Sequence, residues 1–263
     1  MKIGVIGLGL IGGSILQALS ANHEMYAVSA SSACKATLYA KTSTEYDILA
    51  ECEVVFVCRP MDKINETLFA LNNVVSEDTI VTEISSVKNF IVRDALKYNL
   101  ISTHPMAGSE KTGFSAANIE LFRGAKWVIE RENSILEGLI KEMGAIPVLC
   151  SNEEQDKACA TISHFPLLAS IALFDMARDS KYAKLLAASG FRDMTRLASG
   201  SPQMSLDFMK YNAENINKAC EMFIDQLNSL KNLPDDEKIK LFEEIQKQRL
   251  EMYDNEGKNT TTL

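Results

Sequence analysis

The sequence predicts an α/β fold in which a doubly wound parallel sheet is followed by an all-helical domain. Short apolar runs alternate with helical stretches over the first 150 residues, long helical patterns without strand runs follow, and a glycine-rich turn ends the first strand. Strands that alternate with helices form βαβ units in an open sheet. We therefore expect two domains, residues 1–150 and residues 151–263.

Several predicted strands of the first domain are continuous apolar runs, a pattern typical of parallel strands covered on both faces. Between the strands the sequence predicts helices, for example over Gly12–Leu19 and Lys88–Tyr98. The strands are predicted over Lys2–Gly7, Met25–Ser29, Val54–Cys58, Ile80–Ile84, Leu100–Thr103, Lys126–Ile129 and Ile146–Leu149.

The second domain is predicted to be helical from about Asn152 onward. Pro166 is expected to kink the first long helix, because proline lacks a backbone N–H and its ring crowds the preceding turn. Pro234, followed by two aspartates, is typical of a helix start. The helices are predicted over Asp156–Arg178, Ser180–Leu197, Leu206–Asn228 and Asp235–Asp254.

The composition is that of an ordinary globular protein, with 46% hydrophobic and 24% charged residues and a formal net charge of -8. An acidic surface without a basic run argues against nucleic acid and anionic membranes as partners. No apolar run approaches the ~20 residues that span a bilayer. The six cysteines form no CxxC pair and show no zinc-ligand spacing, so we expect free thiols and no metal site. The chain begins with a strand pattern rather than a signal peptide, which favours a cytoplasmic location.

A dinucleotide-binding turn is predicted at the N-terminus, where Gly7, Gly9 and Gly12 form a GxGxxG pattern that also contains Leu10 and Ile11. A strand precedes the pattern and an apolar helix follows, which is the setting of the Rossmann fingerprint. The first glycine permits a tight turn, the second lets a pyrophosphate approach the backbone, and the third lets helix and strand pack closely. The helix N-terminus then supplies N–H groups for the diphosphate.

The choice between NAD and NADP stays open. An acidic residue is expected ~20 residues after the glycines, where it binds the ribose of NAD, but the second strand ends in Ser29 and is followed by Ser31 and Ser32. These serines could bind a 2′-phosphate with Lys35 as the nearest cation, or they could be ordinary loop residues.

His104 is the candidate general base. Oxidation of a hydroxyl requires a group that accepts its proton, and histidine is the side chain best suited to this at neutral pH. His104 follows an apolar strand, and open α/β sheets bind ligands at the carboxyl ends of their strands. His23 lies in a polar turn before the second strand and is not expected to take part.

Other residues have both a functional and a structural interpretation. Ser86 follows another strand and could orient His104 or a substrate hydroxyl. Lys88 beside it could neutralise an anion, but it is expected to be a solvated helix-start residue. His164 lies in an apolar helix, where a satisfied core histidine is the simpler interpretation. Arg192 and Arg196 could clamp a carboxylate, since arginine is the preferred fork for one, or could form ordinary surface salt bridges.

The sequence resembles the prephenate/arogenate dehydrogenase family, often called TyrA. The resemblance extends from residue 1 to about 212 and lies in five segments that occur in order. They read GLGLIGGS at 7–14, SSVK at 85–88, HPMAGSE at 104–110, SHFP at 163–166 and GFRDMTRLASGSP at 190–202.

This resemblance implies an NAD(P)-dependent oxidative decarboxylation of prephenate to 4-hydroxyphenylpyruvate, or of arogenate to tyrosine, by a homodimer whose helical domain is the dimerisation domain. It implies that His104 accepts the proton of the ring hydroxyl and that Ser86 holds this hydroxyl. Ser163 and His164 would line the pocket for nicotinamide and substrate, and Arg196 would bind a substrate carboxylate.

Three positions depart from the family pattern. Leu167 stands where many members have a second histidine that is linked with the prephenate side chain, which leaves room for arogenate. Glu83 and Ser29 stand where members often have an aspartate and an acid, respectively. The change at Ser29 argues against strict use of NAD.

Two other functions remain possible on the sequence. A relative of the 3-hydroxy-acid dehydrogenases would share the Rossmann domain and the helical domain, but the segments around His104 and Arg196 argue against it. A non-catalytic dinucleotide sensor would keep the glycine turn without a base in the cleft.

Overall fold

The computed structural model describes residues 1–109 and 111–258, so Glu110 of the segment 104–110 lies outside the described residues. Its main sheet has six parallel strands in the order β3-β2-β1-β4-β5-β6, the order of doubly wound dinucleotide-binding folds. The predicted α/β class is thus confirmed. The strands are β1 (Lys2–Ile6), β2 (Glu24–Val28), β3 (Lys41–Ser43), β4 (Val54–Val57), β5 (Ile80–Glu83) and β6 (Asn99–Leu100).

Hydrophobic residues cover both faces of this sheet. Val54 and Phe56 of β4 pack into one core cluster, whereas Val55 and Val57 pack into another on the opposite face. Successive side chains of a strand point to opposite faces, so an uninterrupted apolar run is what burial on both sides requires. The runs in the sequence therefore predicted β1, β2, β4 and β5 of this sheet, whereas the short polar strand β3 was not predicted.

A smaller sheet follows, with β7 (Thr103–Pro105) antiparallel to β8 (Lys126–Ile129) and β8 parallel to β9 (Ile146–Leu149). The predicted strand Leu100–Thr103 is therefore wrong as one element. Its first part pairs with β5, and its last residue belongs to β7 in the second sheet. His104 consequently lies within a strand of the smaller sheet rather than just beyond a strand of the main one.

The connecting helices of the first half are α1 (Leu10–Leu19), α2 (Met61–Leu71) and α3 (Ser134–Glu142). The predicted helix over Lys88–Tyr98 is wrong, because this segment forms turns. Side chains from elsewhere bind its backbone. Asp156 accepts from the N–H groups of Lys88 and Asn89, and Asn65 and Asn72 each bond to one carbonyl and one N–H further along. Backbone groups that are satisfied in this way do not need a helix.

A π-helical turn over Ala160–His164 joins α4 (Asn152–Cys159) to α5 (Phe165–Ala177). Pro166 stands at the first positions of α5. A proline cannot donate to a carbonyl of the preceding turn and crowds it, so a wider turn in front of Pro166 accommodates both defects. The irregularity predicted at Pro166 is thus a π turn in a helical stretch that continues.

By length and composition, the stretch Asn152–Ala177 could cross a membrane, with 26 residues and a mean hydropathy of 1.4. It is longer than the apolar runs that the sequence indicated, because the π turn carries the helix past Pro166. The stretch also contains the buried polar residues Asp156 and His164, which form hydrogen bonds within the protein. A single such helix is weak evidence of a membrane span, since core helices of soluble proteins share this composition.

The remaining helices are α6 (Lys181–Leu186), α7 (Ser189–Thr195), α8 (Pro202–Tyr211), α9 (Ala213–Asn232) and α10 (Asp235–Lys258). A 3-10 turn over Arg196–Ser199 follows α7. The chain forms two compact units, Met1–Asn215 and Ile216–Leu263. The first unit thus includes α4 to α8 together with both sheets, and the domain boundary near residue 150 stays a prediction.

Candidate active site

The glycine turn between β1 and α1 has the geometry that its sequence pattern predicted. Gly7 has a φ of +91°, and a Cβ there would lie 2.3 Å from the Cys58 carbonyl oxygen. A Cβ on Gly12 would lie 2.0 Å from the Gly7 carbonyl oxygen, whereas one on Gly9 would meet no atom within 4 Å. Gly7 and Gly12 are therefore required by the fold itself, and Gly9 faces open space.

The N-terminus of α1 fits the diphosphate of a dinucleotide. Gly9 is the N-cap residue, and it provides no side-chain cap for the helix. The first N–H groups of a helix have no partner within the helix, and together with its dipole they form an anion site. The backbone of Leu10, Ile11 and Gly12 thus lies beside the open space at Gly9.

The end of β2 carries no acidic side chain. Ser29 is buried and its Oγ accepts from the backbone N–H of Ser32 at 3.1 Å, while Ser31 and Lys35 are exposed. Ser29 is thus partly a turn-forming residue, as the loop interpretation proposed.

Arg59 was missed by the sequence reasoning. It follows β4 at the same edge of the sheet, and its Cδ would lie 3.5 Å from a Cβ built on Gly7. Its Nε is buried and has no hydrogen-bond partner among the described residues. An arginine placed directly after a continuous apolar strand was the signal that could have drawn attention to it.

His104 is half-buried on β7, and its Nδ1 lies 3.9 Å from Sγ of Cys159 on α4. Burial, together with smaller effects of the nearby Lys88 and His164, lowers the pKa of His104 to about 3. The imidazole is therefore neutral at neutral pH and has a lone pair available for a proton.

Lys88 is not the solvated helix-start residue that the sequence suggested. Its side chain is fully buried, and its Nζ donates to Oε1 of Glu83 and to the carbonyl oxygen of Thr103, both at 2.7 Å. Burial lowers the pKa of Lys88, and the adjacent Glu83 opposes this effect. A buried ammonium requires such partners. Lys88 thus ties β5 to the residue that precedes His104.

Ser86 is half-buried beside this ion pair. Its carbonyl oxygen accepts from Nε2 of Gln155 at 3.4 Å, but its hydroxyl forms no hydrogen bond within the described chain. The neighbouring Ser85 instead donates to Glu83 at 2.5 Å. The expected bond between Ser86 and a substrate hydroxyl stays a prediction.

His164 is buried in the π turn, with an exposed fraction of 1%, and its ring stacks on Phe208 at a centroid distance of 4.2 Å. Nδ1 lies 3.1 Å from Nδ2 of Asn212. Nε2 is buried and has no partner in the described residues. His164 is thus a core histidine, as its apolar helix indicated, but it is only half satisfied. Burial lowers its pKa to about 4. Ser163, next to it, is exposed.

Arg196 is exposed at the start of the 3-10 turn that follows α7. This turn packs on α5, where the backbone N–H of Ala198 donates to Oγ of Ser170 at 3.0 Å. Ser170 follows His164 by six residues, which is roughly 9 Å along a helix that rises 1.5 Å per residue. The structure therefore brings the turn that carries Arg196 to the helix that begins after His164.

Asp156 and Asn212 connect the loop after β5 to the helical stretch that carries His164. The Asp156 carboxylate accepts from the backbone N–H groups of Lys88 and Asn89, each at 2.8 Å, and its carbonyl oxygen accepts from Nδ2 of Asn212. Hydrogen bonds thus connect the loop after β5 to α4 and the C-terminus of α8. The arrangement places two neutral imidazoles in a desolvated region, one as a potential base and one with an unused nitrogen.

Two family models match the chain. Residues 18–134 match the nucleotide-binding domain of prephenate dehydrogenase, and residues 151–248 match its dimerization domain. The glycine turn precedes the first match, so its assignment depends on its own geometry. Among curated proteins, the prephenate dehydrogenase of Lactococcus lactis is 31% identical over 87% of this chain and 70% of its own length.

Solved structures show the same likeness. The arogenate dehydrogenase of Synechocystis superposes with a TM-score of 0.85 at 29% identity, covering 96% of this chain and 100% of that one. The prephenate dehydrogenase of Aquifex aeolicus, in complex with hydroxyphenyl propionate and NAD+, gives a TM-score of 0.87 at 25% identity over 96% and 98%. The chain therefore belongs to the prephenate dehydrogenase family of NAD(P)-dependent dehydrogenases, as its five sequence segments predicted.

Proposed function

We propose that this chain oxidises and decarboxylates prephenate to 4-hydroxyphenylpyruvate in the biosynthesis of tyrosine. The observation that carries the proposal is His104, a neutral, desolvated imidazole in a segment that matches the family. A base in this state accepts the proton of the substrate hydroxyl.

Each site residue has a separate role in the proposed reaction. NAD(P)+, when bound at the glycine turn, supplies the hydride acceptor. His104 takes the hydroxyl proton as the ketone forms, and loss of the ring carboxylate as CO2 makes the ring aromatic. Arg196 binds a substrate carboxylate, and Ser86 and Ser163 contact the substrate or the nicotinamide. The negative charge of the substrate raises the pKa of His104 from about 3, because an adjacent anion favours the protonated imidazole.

Arogenate is the second candidate substrate. Leu167, which replaces the second histidine of many relatives, is buried with an exposed fraction of 7%. An apolar side chain at this position gives no hydrogen bond to the side chain of prephenate. The family likeness to an arogenate dehydrogenase of known structure supports the same alternative.

Both cofactors fit the described site. The end of β2 offers no carboxylate that would repel a 2′-phosphate, and Arg59 adds a cation with an unpartnered Nε beside Gly7. Ser31 is exposed beside this site, whereas Ser29 is buried and its Oγ already accepts from the backbone of Ser32.

The assay that tests the proposed function combines two substrates with two cofactors. The purified chain is incubated with prephenate or arogenate and with NAD+ or NADP+, and the absorbance of the reduced nicotinamide is followed. We expect a signal with prephenate that exceeds the signal with arogenate. A larger signal with arogenate would establish the alternative, and silence in all four combinations would reject both.

We also propose that the chain works as a homodimer in the cytoplasm. Large apolar side chains of α5 and α6 are exposed, among them Met176 at 84%, Tyr182 at 70% and Leu186 at 78%. In the second unit, Ile239, Phe242 and Ile245 of α10 are exposed at 50% or more. Exposed apolar areas of this kind mark interfaces. The match to a dimerization domain supports a second copy as the partner, and the six free thiols fit a reducing compartment.

Sedimentation measurements of the wild-type chain and of Leu186→Glu test the dimer. We expect the wild type to sediment as a dimer and the variant to dissociate at lower protein concentration, because a buried carboxylate is costly. Lys181→Glu, on the same helix, is the control and should leave the association unchanged. A monomeric wild type at micromolar concentration would contradict the dimer.

A further inference from the structure

We infer that Asn212 is a positioning residue that fixes the tautomer of His164, so that Nε2–H of His164 donates a hydrogen bond to the bound substrate. The inference rests on the proposed function, since it concerns the same pocket. Asn212 lies outside the five segments that indicated the family, at the C-terminus of α8.

The orientation of the Asn212 amide follows from its neighbours. The carbonyl oxygen of Asp156 can only accept, and it lies 2.8 Å from Nδ2 of Asn212. On the other side, Oδ1 of Asn212 accepts from Nδ2 of Asn215 at 2.8 Å. Reversing the amide would face one oxygen with another and one NH2 group with another. The NH2 group of Asn212 is therefore the end that points at His164.

This orientation decides which nitrogen of His164 carries the proton. The two hydrogens of the Asn212 NH2 group serve the Asp156 carbonyl and Nδ1 of His164. Nδ1 must accept, and in a neutral imidazole the other nitrogen is then the donor. Nε2 is thus N–H, and it is the atom that is buried without a partner among the described residues.

Few buried polar atoms in native proteins lack a partner, and each one calls for a specific explanation. A substrate acceptor atom that arrives at Nε2 would complete the hydrogen bonds of His164.

The surroundings keep His164 neutral. Asp156 and Cys159 lie on its own helical stretch, His104 lies on β7, and Asp207 lies on α8. The Asp156 carboxylate is occupied by two backbone N–H groups, and Asp207 accepts from Gln203. Burial raises the pKa of Cys159 to about 11, so this thiol is uncharged, and His104 is neutral as well. The donor at Nε2 therefore persists across the neutral pH range.

The first test replaces Asn212 by aspartate, which has the same shape but cannot donate. The carboxylate then accepts from Nδ1–H of His164 and raises the pKa of the imidazole. Nε2–H survives only while the ring is protonated, so the KM for substrate should rise about 10-fold or more as the pH passes the new pKa. The wild-type KM should stay flat over this range, and a flat profile in Asn212→Asp would overturn the inference.

The matched control is Asn215→Ala, which removes the bond to Oδ1 of Asn212 and leaves Nδ2 in place. A structural effect alone would change the stability of both variants and the pH profile of neither. We expect the pH-dependent KM only in Asn212→Asp.

The second test compares two substitutions of the histidine itself. The amide nitrogen of glutamine can occupy the position of Nε2, whereas that of asparagine corresponds to Nδ1. We expect His164→Gln to keep the substrate KM within a few-fold and His164→Asn to raise it at least 10-fold. The Kd for dinucleotide should be unchanged in both. Equal KM values in the two variants, or an effect on dinucleotide binding alone, would refute the role of Nε2.

A measurement that needs no turnover separates this inference from the proposed function. The ¹⁵N chemical shifts of the His164 ring in the wild-type chain report which nitrogen is protonated. We expect protonated Nε2 and unprotonated Nδ1 at neutral pH. The reverse pattern would reject the tautomer even if the chain oxidises prephenate, whereas the expected pattern without any turnover would reject only the proposed function.

Discussion

The three histidines have different roles because their burial and their neighbouring groups differ. His23 is half-buried, and its Nε2 lies 2.9 Å from the Glu142 carboxylate. His104 and His164 are in desolvated positions that lower the pKa of each, to about 3 and about 4. A neutral imidazole can accept a proton or donate one hydrogen bond, and neighbours decide which. Cys159 lies beside Nδ1 of His104, so Nε2 of this ring is the nitrogen that can contact a ligand. Asn212 binds Nδ1 of His164, so Nε2–H of that ring is the group that can donate to a ligand.

His104→Asn should lower kcat by ~10²–10⁴-fold, the usual contribution of a general base. The Kd for the dinucleotide should stay within a few-fold of the wild-type value, because the glycine turn is untouched. Steady-state kinetics and calorimetric titration give the two quantities, with His23→Asn as the control that keeps normal turnover. Near-normal kcat in His104→Asn would remove this residue from its role.

Arg196→Ala should raise the KM for substrate by roughly 10–100-fold, because a charge-assisted hydrogen bond contributes about 1.5–3 kcal/mol. Arg192→Ala is the matched control. Arg192 is also exposed, and its Nε lies 3.6 Å from the Asp193 carboxylate. Similar KM values for the two variants would argue against a carboxylate clamp at Arg196.

At the scale of elements, two irregular turns position the site. The glycine turn places the N-terminus of α1 beside the open space at Gly9. The π turn Ala160–His164 carries the helix past Pro166 and places His164 against Phe208 and Asn212. Both turns depart from regular hydrogen bonding where a ligand is proposed, as π turns at functional sites often do.

Substitutions at two glycines of the turn should affect protein stability and dinucleotide binding separately. Gly12→Ala places a Cβ 2.0 Å from the Gly7 carbonyl oxygen, so we expect a loss of about 1–3 kcal/mol in the free energy of unfolding. Gly9→Ala meets no protein atom within 4 Å and should keep the wild-type stability. Its methyl group enters the space proposed for the pyrophosphate, so its Kd for NAD(P)+ should rise. Thermal unfolding and calorimetric titration of both variants distinguish the effects, and unchanged dinucleotide binding by Gly9→Ala would contradict the assignment.

At the scale of the whole molecule, the buried histidines make stability depend on pH. In the unfolded chain both titrate near pH 6.5, whereas in the folded protein the pKa of His104 is about 3 and that of His164 about 4. Between these values the unfolded state binds more protons, so stability falls as the pH falls. The loss begins near pH 6.5 and continues toward pH 3–4.

Melting temperatures from pH 8 to pH 4.5 check this dependence. The wild-type chain should lose stability steadily below about pH 6.5, and a variant with both His104→Gln and His164→Gln should lose less over the same range. Parallel curves for the two proteins would show that other groups cause the acid sensitivity.

Much of the fold followed from the sequence because it depends on local patterns. The continuous apolar runs predicted β1, β4, β8 and β9, and the proline with two aspartates predicted the start of α10. The predictions of secondary structure were wrong where side chains distant in the sequence determine the local backbone conformation. The segment 88–98 has a helical pattern, but side chains from α2, from the residue after α2 and from α4 bind its backbone and hold it in turns.

By itself, the sequence determined the fold class, the glycine turn and the family, because spacing along the chain encodes these directly. The tertiary structure alone decided the charge states and partners within the pocket. Lys88 is buried against Glu83, Arg59 lies beside Gly7, and Asn212 meets His164 across 48 residues of chain. Burial and hydrogen-bond partners set the pKa and the tautomer of a side chain, and both arise only when distant segments pack together.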